Sequence, residues 1–254
     1  MNMQYAIEND KVYVLEENPR ASRTVPLVSK VCNVRMVPIA TEIITSEFTG
    51  RKSPVPELKE QNIPYYGVKE AVFPFNMFQE VDPILGPEMR STGEVLGLSK
   101  TVGGAFFRAQ EATKTKLPTS GAVLISVNKK DKAEVLDVAR GFAKANFKIY
   151  ATGKTFELIS EAGIECEKVN KQYEGRPNLL DLITNGDIDI VVNSPVGDDS
   201  EYDDSYLRKA VIKAKIPYMT TIAAAMATVE GILDAQAGGQ GEVKSIQDLH
   251  ASIS

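Results

Sequence analysis

Glu16, Asn18, Arg20 and Arg23 follow directly on the apolar run Val12-Tyr13-Val14-Leu15. A β-branched stretch of this kind reads as a buried strand, and it ends abruptly in a carboxylate, an amide and two guanidinium groups. Glu16 and Asn18 are two apart, so on an extended strand they project from one face. Carboxylate and amide oxygens suit Mg²⁺, and arginine forks suit phosphate or carboxylate groups. The same spacing also fits an ordinary strand edge with solvated polar residues, and spacing alone does not choose between the two.

A second group of chemistry-bearing residues lies further along. Ala151-Thr152-Gly153-Lys154-Thr155 opens a helix with two hydroxyls, a glycine and a lysine. Free N–H groups and the helix dipole make such a start a plausible phosphate cradle, although Thr152 equally suits a plain helix cap. It is not a Walker A loop, because Lys148 stands where that motif needs its first glycine. Asn170-Lys171 and Asn193-Ser194-Pro195 follow two other strand-like runs, and Lys132 begins another helix.

The elements that must position these groups differ between the two halves. Residues 1–115 read irregularly. A hairpin (3–7 and 12–15) is followed by a helical stretch over 25–45, and then by proline-punctuated segments around 53–56, 63–66 and 73–75. Residues 82–87 form a loop, and 88–112, rich in helix formers, are helical in whole or part. From residue 116 the grammar changes. Strand-like runs at 122–127, 148–151, 165–170, 188–193 and 216–219 alternate with helical ones at 131–145, 154–161, 178–184, 205–214 and 221–236. This alternation predicts an α/β domain, with a doubly wound, Rossmann-like parallel sheet of five strands. Right-handed crossovers place its ligand at the carboxyl ends of the strands, where Thr152, Lys171 and Asn193 fall.

Composition narrows the function classes. Hydrophobic residues make up 43% and charged residues 25% of 254 positions, as in ordinary globular proteins. A net charge of −5 without a basic block argues against nucleic-acid binding. No apolar run approaches the ~18 residues of a membrane span, so no membrane partner is expected. Cys32 and Cys166 are distant from each other and unaccompanied by histidine, which suggests free thiols in a reducing cytoplasm. His250 is the one histidine, near the C-terminus, so chemistry with histidine as general base is not expected.

The run from Glu16 to Thr24 resembles the last catalytic strand of ATP-grasp ligases. Together with Phe75-Asn76, Val81-Asp82-Pro83, the run from Leu85 to Val95 and Glu174-Gly175-Arg176-Pro177-Asn178, it is similar to the C-terminal quarter of the carbamoyl-phosphate synthase large chain. The resemblance covers essentially the whole sequence. It implies that residues 1–115 are the tail of the second, carbamoyl-phosphate-forming ATP-grasp unit, an α+β tail only in part complete. Residues 116–254 would be the methylglyoxal-synthase-like allosteric domain. It also implies a C-terminal piece of a glutamine-hydrolysing, ATP-dependent ligase of arginine and pyrimidine biosynthesis, inactive by itself. A glutaminase small subunit would be its partner.

By the same resemblance, Gln4, Glu16 and Asn18 match metal-ligand positions for Mg²⁺ or Mn²⁺, with K⁺ a further candidate ion. Arg20 and Arg23 match arginines facing the ATP phosphates and the carbamate tunnel, and Lys69 and Glu94 match charged residues at the tunnel exit. Ser126, Lys132, Thr152, Thr155, Lys171 and Asn193 match the pocket for nucleotide effectors such as UMP or IMP. Two departures stand out. Ser194-Pro195 replaces a threonine pair, with the loss of one hydroxyl. Met219 replaces an aspartate before Thr220-Thr221, which removes a carboxylate for ornithine and leaves Glu70 as a weak ornithine contact. A free-standing methylglyoxal synthase is disfavoured, since the loop 174–177 offers no aspartate and no histidine follows Asn193 until His250. A small-molecule-binding regulatory module without catalysis describes the chain as it stands. The strand 12–15, short of sheet neighbours, leaves edges that could pair with another chain in a homo-oligomer.

Overall fold

The computed structural model of the chain describes residues 1–52, 60–74, 88–194, 201–239 and 243–254. The proline-rich stretch at 53–56, the loop at 82–87, the matching segments within 75–87 and Pro195 lie outside the described residues. Two compact units emerge, one formed by 1–64 with 243–254 and the other by 65–242.

In the first unit, strands β1 (Asn2–Glu8) and β2 (Lys11–Asn18) form an antiparallel hairpin with an irregularity in register between Gln4 and Tyr5. Asn9 and Asp10 both take positive φ, at 48° and 60°, as a tight two-residue turn requires. The hairpin is its own whole sheet. The strand expected to be buried is therefore open on both faces: Val12, Val14 and Leu15 are 63%, 58% and 65% exposed. The single helix expected over 25–45 is two, α1 (Thr24–Cys32) and α2 (Met36–Thr49). Asn33 breaks them apart in the left-handed region at φ 54°, a conformation asparagine tolerates better than most residues. Neither helix buries a residue. Helix α9 (Ile246–His250) returns from the far end of the chain to this unit. There His250 Nε2 donates to the Lys30 carbonyl at 2.6 Å, and Asn62 and Ser254 bond each other's main chains.

The second unit begins with the antiparallel pair β3 (Tyr66–Val72) and β4 (Gly93–Ser99), followed by helix α3 (Val102–Ala112). Strand β4 occupies part of the stretch expected to be helical. Its helix formers give way to pairing with β3 and to a close approach: a Cβ on Gly97 would overlap the main chain of Ala105 and Ala109 in α3.

The remaining strands are β5 (Ala122–Ser126), β6 (Lys148–Thr152), β7 (Glu167–Val169), β8 (Ile190–Asn193) and β9 (Tyr218–Met219). They form one five-stranded sheet in the order β7-β6-β5-β8-β9, with every pairing parallel. The intervening helices are α4 (Val135–Lys144), α5 (Gly153–Glu161), α6 (Leu179–Asn185), α7 (Glu201–Lys213) and α8 (Ile222–Gln236). Two-residue periodicity divides the core. Val123, Ile125, Ile190 and Val192 pack with Phe142 of α4, Ile159 of α5 and Val229 of α8 on one face. Ala122, Leu124 and Val191 pack with Ile183 of α6 and Val211 of α7 on the other. This is the doubly wound arrangement the alternation predicts, covered on both faces. Helix α8 then crosses α3 closely. A Cβ on Gly231 would lie 2.6 Å from the Gly103 carbonyl oxygen, and one on Gly103 would lie 2.7 Å from the Gly231 nitrogen.

Candidate functional site

The strand order reverses at β5: the chain moves outward through β6 and β7, then returns to lay β8 on the other side of β5. Helices leave the carboxyl ends of β5 and β8 in opposite directions at such a point, opening a crevice lined by loop residues. Three strands deliver polar side chains there. Ser126 ends β5, Thr152 ends β6 and Asn193 ends β8, with Ser126 and Asn193 direct register partners.

These groups are buried, which apolar strands alone would not require. Thr152, Thr155 and Asn193 are each 3% exposed, and Ser194 is 6% exposed. Thr152 stands at the N-cap of α5, yet its side chain makes no capping bond. Its hydroxyl instead meets that of Ser126 at 2.7 Å. The Thr155 hydroxyl lies against the main chain of Val127, at 3.4 Å from N and 3.5 Å from O. Asn193 Nδ2 donates to the Tyr218 hydroxyl at 2.9 Å. Gly153, at φ 41° with open space where a Cβ would stand, begins α5 beneath this cluster.

The two cations are placed differently. Lys132 lies in a 3₁₀ turn (Lys130–Lys132) that precedes α4 and is half-buried. The amphipathic stretch from 131 thus begins as a tighter turn before α4 proper. Lys171 follows β7, two strands from β5, and its Nζ sits 5.7 Å from the centroid of the Tyr173 ring. Its main-chain N–H donates to Glu174 Oε2 at 2.8 Å.

Asn128 is not singled out by the sequence motifs, and Ser194 enters there only as part of the polar end of its strand and beside a lost hydroxyl. Asn128 Oδ1 accepts from the N–H groups of Lys130 and Asp131, at 2.7 and 3.1 Å. The signal was present in Asn128-Lys129-Lys130-Asp131, where an asparagine two and three residues before a helical turn suits an Asx-turn.

The hairpin residues form a separate group in the other unit. Gln4 and Glu16 are register partners across β1 and β2, so they share a face, and Asn18 lies two residues along on that same face. Asn18 Nδ2 donates to Glu16 Oε1 at 2.5 Å. One carboxylate and two amides supply hard oxygens fitting Mg²⁺, with a single negative charge that leaves the rest of the ion's charge to phosphate oxygens. Among the described residues, no group of three or more His, Cys, Asp or Glu could hold a metal. Arg20 lies just past β2, where its N–H donates to the Asn18 carbonyl at 2.8 Å, and Arg23 stands at the N-cap of α1.

Lys69 and Glu94 form a diagonal ion pair across β3 and β4, opposite Leu96 and Ala71 respectively, with Nζ and Oε2 3.5 Å apart. Burial holds the Glu70 carboxyl above the usual carboxylate range, against a smaller opposing effect of a hydrogen bond from the Ala71 main chain. Met219 is buried in the core with Val192 and Ile222. An open cleft of about 600 Å³ is lined by Tyr66, Lys100, Thr101, Glu230 and Asp234 among others, and by none of the expected site residues.

Comparison with known proteins bears on both groups. Residues 134–220 match the MGS-like domain family. The chain is 41% identical to the "Carbamoyl phosphate synthase large chain, C-terminal section" of Aquifex aeolicus, over 98% of this chain and 50% of that protein. It is 42% identical to the protein of the same description from Methanopyrus kandleri, over 98% of this chain and 47% of that protein. With the carbamoyl phosphate synthase large chain of Acidobacterium capsulatum it shares 44% identity, over 99% of this chain and 23% of that protein. The chain thus spans about half the length of the C-terminal sections it matches, and about a quarter of an undivided large chain. Among solved structures, a methylglyoxal synthase from Elizabethkingia anophelis aligns with 44% of this chain and 79% of that one, at a TM-score of 0.38 and 20% identity. No helix among the described residues is long and apolar enough to cross a membrane. Nearly the entire sequence is therefore similar to the C-terminal section of carbamoyl phosphate synthase large chains, and within it residues 134–220 match the MGS-like domain family.

Proposed function

We propose that the carboxyl edge of the five-stranded sheet is a regulatory pocket for a nucleoside monophosphate such as UMP or IMP. The chain would act as the C-terminal part of an ATP-dependent carbamoyl phosphate synthase. One observation supports the pocket above all: Thr152, Thr155 and Asn193 are each 3% exposed and converge with Ser126 on one edge. In the Ser126–Thr152 pair one hydroxyl donates to the other, which leaves one hydroxyl hydrogen to make a charge-assisted bond to an anion. Lys132 and Lys171 would bring positive charge to the phosphate. Effector binding would shift the affinity of the attached ATP-grasp unit for nucleotide, a coupling typically of about 1–3 kcal/mol.

In this reading residues 1–115 are the tail of the carbamoyl-phosphate-forming unit and 116–254 the regulatory domain. Gln4, Glu16 and Asn18 would hold Mg²⁺ or Mn²⁺, which when bound neutralises ATP phosphates, and K⁺ is a further candidate. Arg20 and Arg23 would orient the transferring phosphoryl group and carbamate by charge and position. The partner would be a glutaminase small subunit, in the cytoplasm. The open hairpin and the exposed side chain of Phe48, at 86%, support a first unit whose apolar surface is covered by the rest of an ATP-grasp unit. The 254 residues alone would show no carbamate-dependent ATP turnover and would self-associate through that surface. Ornithine would bind weakly, with a buried thioether at Met219 in place of a carboxylate.

Calorimetry tests the pocket directly. UMP or IMP is expected to bind the isolated chain, with Thr152→Ala and Lys132→Ala each weakening it. Absence of heat with either nucleotide at millimolar concentration would exclude the pocket.

A further inference from the structure

Three consecutive residues at the carboxyl end of β5, Ser126 to Asn128, bond to three different segments. The Ser126 hydroxyl meets Thr152 at the end of β6, and the Val127 main chain meets Thr155 in α5. Asn128 meets Ser194 just past β8: its main-chain N–H and its Nδ2 both donate to the Ser194 hydroxyl oxygen, at 3.1 and 3.2 Å. Ser194 is itself tied to β5, since its N–H donates to the Ser126 carbonyl at 3.3 Å.

The Asn128 amide is fully engaged. Oδ1 accepts from the Lys130 and Asp131 N–H groups, while Nδ2 donates to Asp131 Oδ2 at 2.9 Å as well as to Ser194. An amide offers two donor hydrogens and one oxygen with two lone pairs, and all four positions have partners. The residues fixed in this way are those of the turn that carries Lys132. A lysine has four rotatable side-chain bonds, so fixing its main chain lowers the ordering cost of bringing its charge to a ligand.

We propose that Asn128 and Ser194 are positioning residues of the anion pocket, joining the end of β5 to the end of β8 and holding the Lys132 turn at the sheet's carboxyl edge. The proposal rests on the pocket described under the proposed function. It also gives Ser194 a task, because its hydroxyl oxygen is engaged with Asn128. Asn128→Asp nearly preserves shape, but it removes both Nδ2 donors and sets a carboxylate against Asp131.

The experiment is calorimetry of the 254-residue chain with inorganic phosphate, UMP and IMP, with far-UV circular dichroism to confirm folding. Asn128→Asp is expected to weaken nucleotide binding about tenfold or more, Ser194→Ala several-fold, and Ser194→Thr by less than about twofold. The double variant Asn128→Asp/Lys132→Ala is expected to bind within about twofold of Lys132→Ala alone, because Asn128 acts through Lys132. A purely structural or long-range charge effect would be additive, and additivity would overturn the proposal. So would wild-type affinity in Asn128→Asp and Ser194→Ala while Lys132→Ala is weakened, a result that leaves the pocket standing. Unfolding of both Asn128→Asp and Ser194→Ala would assign the network to the fold and overturn it too. If the wild-type chain binds none of the three ligands, pocket and proposal fall together.

Discussion

Gly231→Ala probes the crossing of α3 and α8. A methyl group there would lie 2.6 Å from the Gly103 carbonyl oxygen and 3.0 Å from Phe107 Cβ. The nearer atom is main chain and cannot rotate away, so the two helices must part by several tenths of an ångström. Overpacking of this kind costs about 1–3 kcal/mol. Alanine returns up to about 1 kcal/mol through its higher helix propensity. A net loss of up to about 2 kcal/mol follows, or a fall in Tm of up to about 8 °C for a unit of this size. Urea and thermal unfolding followed by circular dichroism measure it. Gly103→Ala should cost a similar amount, since its Cβ would lie 2.6 Å from Glu230 and 2.7 Å from the Gly231 nitrogen. The double variant should then cost less than the sum, because helices already separated by one methyl accept the second more readily. A rise in Tm for Gly231→Ala, the usual response of a glycine on an open helix, would refute the close crossing. Full additivity would refute the shared displacement.

Burial, reinforced by the Glu167 charge, pushes the Cys166 thiol up to about 11 from an ordinary 9.0. Iodoacetamide should therefore label Cys166 slowly at pH 8 and rapidly only above about pH 10. Because the folded state favours the protonated thiol, its contribution to stability is present below pH 9 and is lost as pH rises toward 11. Cys166→Ala should flatten the alkaline fall in Tm, and an unchanged pH profile would count against this assignment. Asn178 caps α6, accepting from the N–H groups of Leu180 and Asp181, while Asp181 accepts from the Asn178 N–H in return. Asn178→Ala should destabilise the protein by about 0.5–2 kcal/mol in urea unfolding, and no loss would show that the cap contributes little.

The parallel sheet was legible because its central strands β5 and β8 are buried on both faces. Ala122-Val123-Leu124-Ile125 and Ile190-Val191-Val192 carry no polar residue before their carboxyl ends, so length and bounding turns sufficed. Strand β4 was not legible: Gly93 and Gly97 weaken any strand pattern, and Gly97 is explained only by the passage of α3 against it. The break at Asn33 escaped for a similar reason, since one left-handed residue leaves the apolar periodicity on either side unaltered. At the pocket, strand-end residues such as Thr152 and Asn193 could be read from the alternation of elements. The role of Asn128 could not, because its partner Ser194 is 66 residues away and meets it only when β8 lies beside β5.

The return of α9 to the first unit makes the second unit an insertion: residues 65–242 interrupt a body built from 1–64 and 243–254. During synthesis the five-stranded sheet can thus be complete while the first unit still lacks its closing segment. The contacts of His250 with Lys30 and of Ser254 with Asn62 form only once residues 243–254 have been made. A bulky substitution within 243–254, or loss of α9, would act on the hairpin-bearing unit and leave the sheet with its polar edge whole. Sequence distance is thus a poor guide to which unit a change in 243–254 will disturb.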